Sequence, residues 1–98
     1  MATREEYIGL LRKFVAEHGS EYGIARIGIF GSVARGEHTE GSDVDIYYEG
    51  EPLGLKSLTG LPRALETHLG TSVDVVRSHG GLNRAFRNRI LKEVVYVR

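Results

Sequence analysis

The chain has no cysteine, no tryptophan, only two prolines and no net charge. Without cysteine there is no disulfide framework, no thiolate-bound metal and no thiol nucleophile. Thirteen basic residues balance thirteen acidic ones, which argues against a general nucleic-acid binder, because such proteins carry a basic excess. No apolar run approaches the ~20 residues of a membrane span. The N-terminus lacks the basic-then-apolar form of a secretory signal, so the expected location is the cytoplasm. No Ser-His-Asp arrangement is apparent. Gly28-x-x-Gly31-Ser32 is not followed by lysine, which excludes a P-loop. Four histidines, His18, His38, His68 and His79, are scattered without metal-site spacing and read as surface residues.

The chain of 98 residues, 41% apolar and 27% charged, is expected to form one domain over residues 1–98 with one core. It shows no repeat, linker or low-complexity tract. Its charge is unevenly placed. Glu37, Glu40, Asp43, Asp45, Glu49 and Glu51 fall in a stretch without Lys or Arg, whereas Arg77 to Arg98 holds six basic residues and one acid, Glu93. Either this is a solvated surface separated by sign, or the acids collect a metal and the basic tail faces a triphosphate or an acidic partner.

Helical and strand periods alternate along the chain. Thr3 and Glu6 have the spacing of a capping box, and Tyr7, Leu10, Leu11, Phe14 and Val15 recur at helical spacing up to a stop at Gly19. Ile24 to Phe30 reads as a strand, 32–36 as a short helical turn, 37–42 as a polar loop and Asp43 to Glu49 as a second strand. Leu55, Leu58, Leu61, Leu65 and Leu69 suggest a helix that Pro62 kinks or restarts. Ser72 to Val76 is a third strand. Leu82, Ala85, Phe86 and Ile90 form one side of a last helix, leaving Arg84, Arg87, Arg89 and Lys92 outward, and Val94 to Val97 suggests a terminal strand. This alternation predicts an α/β or α+β sandwich.

The chemistry concentrates in Gly28-Ile29-Phe30-Gly31-Ser32-Val33-Ala34-Arg35-Gly36 and Ser42-Asp43-Val44-Asp45-Ile46. A strand running into a Gly-Ser turn brings backbone N–H groups against a phosphate, and Ser32 is placed to cap the following helix and reach the same anion. Ten residues separate Ser32 from Asp43. On a strand, Asp43, Asp45 and Tyr47 share one face, while Val44, Ile46 and Tyr48 face the core. Two adjacent carboxylates beside a phosphate nest call for a cation, ordinarily Mg²⁺. Asp74 stands alone among apolar neighbours and joins the pair if the third strand lies beside the second; otherwise it is a strand-end or salt-bridged acid. Arg35 is placed for a salt bridge to a loop acid or for a phosphate, Ser42 for the loop or a phosphate, and Tyr47 for the border of a base pocket or a mere cover on the sheet.

Gly-Ser, ten residues, Asp, one residue, Asp resembles the nucleotidyltransferase superfamily related to polymerase beta. The wider string Gly31 to Gly36 with Ser42 to Asp45 resembles its small branch, the minimal nucleotidyltransferases, some of which are antitoxins paired with HEPN-domain toxins. The resemblance covers nearly the whole chain. It implies a mixed sheet packed against helices, with Asp43, Asp45 and Asp74 as catalytic and metal-holding acids for two Mg²⁺ ions. It also implies a nucleotide site at Gly31, Ser32, Arg35 and Ser42, ATP as substrate, and AMP transfer to a tyrosine hydroxyl of a HEPN-type toxin in a homo- or hetero-oligomer. Neither direct nucleic-acid binding nor a membrane role is expected. Two other readings remain open: an antitoxin that neutralises its partner by contact alone, and a small-molecule nucleotidyltransferase whose acceptor pocket comes from a partner domain.

Overall fold

The computed structural model describes residues 2–52 and 54–98, apart from the side chains of 55–59. Helices α1 (Arg4–His18), α2 (Gly31–Arg35), α3 (Leu55–Leu69) and α4 (Arg84–Glu93) alternate with strands β1 (Ile24–Phe30), β2 (Val44–Gly50), β3 (Val73–Arg77) and β4 (Val95–Tyr96). The sheet order is β3-β2-β1-β4. β1 pairs antiparallel with β2 and β4, while β2 and β3 run parallel. Parallel neighbours need a crossover, and α3 is that crossover. The sheet is therefore mixed, and the fold is α+β.

Local signals explain the ends of α1. The Thr3 side chain accepts from the Glu6 N–H while the Glu6 carboxylate accepts from the Thr3 N–H, a reciprocal cap that contributes about 1 kcal/mol. Leu11, Phe14 and Val15 of α1 then meet Leu61, Leu65 and Leu69 of α3 over Ile27, Ile29, Val44, Ile46 and Tyr48, forming the main core on one sheet face. Each fully buried aliphatic side chain there contributes about 2 kcal/mol. Pro62 does not restart α3, which is one helix from Leu55 to Leu69. The buried Leu61, Leu65 and Leu69 offset the hydrogen bond that proline cannot make. Leu55 and Leu58 lie outside the described side chains.

Two histidines leave the surface role expected of them. His38 Nε2 lies 2.9 Å from the Ala2 carbonyl and His68 Nε2 lies 2.9 Å from the Leu10 carbonyl, so one part-buried ring ties the residues before α1, and the other α1 itself, to distant segments. Among the described residues, no helix is long and apolar enough to cross a membrane.

The opposite sheet face is covered by α4 and Leu82 before it, through a small cluster of Phe30, Tyr47 and Ile90. Gly28 lets β4 lie close against β1, since a Cβ there would run into the backbone of Val95 and Tyr96. Tyr47 is on the acid face, as its spacing predicts, but it is fully buried in this cluster and borders no open nucleotide pocket. Its hydroxyl has no hydrogen-bond partner among the described residues. A buried unpaired hydroxyl costs more than a methine of the same shape. Tyr47→Phe is therefore expected to stabilise the protein by about 1 kcal/mol, seen as a higher urea midpoint with an unchanged slope.

Candidate active site

A helix as short as α2 has little stability of its own, so its place is set by its neighbours. Val33 is buried in the main core. Arg4 Nε donates to the Ala34 carbonyl at 3.0 Å, and the Gly31 N–H donates to Glu93 Oε2 at 3.2 Å. Gly36 ends the helix in the left-handed region, at φ 71°. Gly31 is itself the first helical residue, at φ 73°. The cap position falls to Phe30, which makes no side-chain cap, so the expectation that Ser32 caps the helix is corrected: Ser32 lies inside the first turn.

Gly31 and Asp45 are in intimate contact. Phe30 pairs with Asp45 across β1 and β2, and a Cβ on Gly31 would collide with the Asp45 carboxylate. On its other side Asp45 is in register with Asp74 of the parallel β3. Asp45, Asp74 and Tyr47 thus share a face, and the acids stand at its β2–β3 side. Asp43, exposed and one residue before β2, is near enough to act on Asp45 electrostatically. Burial first, then the charges of Asp74 and Asp43, raise the Asp45 carboxyl above its ordinary pKa; Arg35 opposes this and Glu93 adds to it.

The backbone brings the three acids together, yet among the described residues no group of three His, Asp or Glu side chains is arranged to hold a metal ion. Like charges drive carboxylates apart, and Asp43 and Asp74 are exposed enough to turn outward. The donor set consists of oxygens, which suits a hard divalent cation, and the charges crowding Asp45 are what such a cation relieves.

This repulsion has a consequence for the free protein. Because the folded pKa of Asp45 lies above its unfolded value, its stabilising contribution is complete below the unfolded pKa and is lost as pH rises through the folded one. Asp45→Asn is therefore expected to raise the melting temperature at neutral pH. Solvent reaches these carboxylates, which keeps the gain under about 1 kcal/mol, or a few degrees in a domain this small. The gain should vanish below about pH 4. Thermal melts of both proteins across pH check this.

Arg35 forms the loop ion pair anticipated for it, at 3.2 Å to Glu37, and a second at 2.9 Å to Glu93. Ser42 accepts from the Thr39 N–H at 3.0 Å, so its hydroxyl is engaged in closing the loop. Arg4 and Glu93 escape sequence reasoning. The signal for Glu93 was its isolation as the one acid of the basic C-terminal stretch; nothing marks Arg4.

A Gly-Ser pair packed against a carboxylate strand, with a further acid on the adjacent parallel strand, is an arrangement suited to nucleotidyl transfer. The chain matches the nucleotidyltransferase domain family model over residues 8–97, and it belongs to that family. It is 39% identical over 98 residues to the protein adenylyltransferase MntA of Thermococcus cleftensis, covering 99% of this chain and 98% of the relative. A candidate minimal nucleotidyltransferase of known structure is 36% identical and superposes with a TM-score of 0.78, covering 96% of this chain and 95% of its own. A toxin-antitoxin structure with AMP-PNP shares the fold at a TM-score of 0.70 and 20% identity, covering 99% of this chain and 73% of its own. The chain is a nucleotidyltransferase of the minimal kind.

Proposed function

We propose that the chain transfers AMP from ATP to a hydroxyl of a partner protein, acting in the cytoplasm as the antitoxin of a toxin-antitoxin pair. The observation that carries this reading is the contact of Gly31 with Asp45, which sets the phosphate turn and the acid strand side by side. The similarity to a protein adenylyltransferase over nearly the full length of both chains supports AMP and a protein acceptor. A tyrosine hydroxyl of a HEPN-type toxin is the acceptor we favour, on the resemblance of the motifs.

In this reading the turn at Gly31-Ser32 takes the triphosphate tail, and Arg35 reaches the same charge. Asp43 and Asp45 would hold Mg²⁺, with Asp74 completing a second ion position. When bound, Mg²⁺ supplies charge neutralisation at the reacting phosphate. The acceptor oxygen attacks the α-phosphorus, the bond between that phosphorus and the α–β bridging oxygen breaks, and pyrophosphate leaves. The hydroxyl proton passes to the Asp74 carboxylate, which is exposed and in register beside Asp45. The partner would meet α4, which carries exposed Arg84, Arg87, Arg89 and Lys92 around the exposed apolar Phe86 and Leu91. Such a surface steers an acidic partner.

Isotope position tests the reaction class. With ATP, Mg²⁺ and the partner, label at the α-phosphate should become fixed on the partner and label at the γ-phosphate should not. Fixation of γ-label would make the chain a phosphoryl transferase instead.

A further inference from the structure

Glu93 holds two groups that a triphosphate would also use. Its Oε2 accepts from the Gly31 N–H at 3.2 Å and its Oε1 accepts from Arg35 Nη1 at 2.9 Å. The side chain is largely withdrawn from solvent, at 22% exposure, and its charge adds to the repulsion on Asp45. It comes from the last residue of α4, 62 positions from Gly31 in sequence. One backbone N–H makes one good hydrogen bond, so a phosphate oxygen and this carboxylate cannot both occupy the Gly31 donor. A fourth negative charge beside three aspartates also opposes the entry of a polyanion.

We propose that Glu93 is an internal stand-in for phosphate, displaced when the triphosphate binds, and that its departure frees Arg35 for the nucleotide. The inference rests on the nucleotidyl-transfer reading of the site. It makes Glu93 a positioning residue that lowers nucleotide affinity in the free chain, because only the fraction of molecules with the turn open is competent to bind. A mere tether between α4 and α2 would behave differently: removing it would loosen the protein and leave affinity unchanged or weaker.

The test is calorimetric titration with α,β-methylene-ATP and Mg²⁺, whose α–β bridge resists cleavage, and in parallel with inorganic tripolyphosphate. Glu93→Ala is expected to bind both about tenfold more tightly than wild type, the scale of one charge-assisted hydrogen bond no longer in competition. Glu93→Gln keeps the shape and an acceptor oxygen but loses the charge, and should shift affinity the same way by less. Adding Arg35→Ala to Glu93→Ala should cancel much of the gain. Glu93→Gln decides the matter should the alanine variant fail to fold. A folded Glu93→Gln chain that binds no more tightly than a binding wild type overturns the inference and leaves the nucleotide site standing. If no form binds either probe, the nucleotide-site reading falls as well.

Discussion

Replacing Asp43 and Asp45 together by alanine is expected to abolish transfer and to leave a folded chain. The loss should be at least about a thousandfold in turnover, because a lost metal and phosphate anchor removes several kcal/mol of transition-state stabilisation. Folding should survive for reasons visible in the structure. Asp43 is exposed, Asp45 is half-buried, and among the described residues neither carboxylate accepts a hydrogen bond. Removing two like charges from a crowded edge relieves repulsion, so the melting temperature of the free protein should not fall. Turnover of the partner under single-turnover conditions, beside a thermal melt, separates the two effects. A double variant that still transfers at a tenth of the wild-type rate would remove these acids from the chemistry.

Gly31→Ala carries the next largest effect. Two costs combine at this position. An L-residue at φ 73° pays about 1–2 kcal/mol of strain, and the new methyl must also push the Asp45 carboxylate aside. Nucleotide affinity should drop by about a hundredfold, the worth of two charge-assisted contacts displaced at once. Gly36→Ala is the control. Gly36 has nearly the same φ, 71°, yet open space around its Cβ position, so it pays the strain alone. The Gly36 variant should lose the stability that the strain alone costs while binding nucleotide like wild type. Equal affinity losses in the two variants would mean that backbone strain, and not the contact with Asp45, sets nucleotide binding.

The parts of this protein legible in the sequence are those with short-range causes. Thr3 and Glu6 cap α1 within one turn, the strand alternation places Asp45 opposite Val44 and Ile46, and the Gly-Ser pair opens a short helix directly after a strand. Asp74 was legible only conditionally, since its role depends on β3 lying parallel beside β2, a pairing made across the whole of α3. What stayed hidden has long-range causes. Glu93 and Arg4 reach α2 from opposite ends of the chain. Tyr47 is buried because α4 folds over it, although its own strand gives it the face of the acids. Ser32 lost its cap role because the helix begins at Gly31, two residues earlier than a cap at Ser32 requires. His38 and His68 are held by carbonyls 36 and 58 positions away. Phe86 has the spacing of a core residue, yet α4 buries only Ile90 fully, and Phe86 remains partly open beside Phe30.

The most direct measurement is the intact mass of the proposed partner protein after incubation with this chain, ATP and Mg²⁺, run beside the Asp43→Ala/Asp45→Ala variant and paired with an assay of protection in cells. Wild type should add one or more AMP units to the partner and the double variant none, with protection lost together with the modification. An unmodified partner, with the double variant still protecting cells, would contradict the account and leave neutralisation by contact in its place.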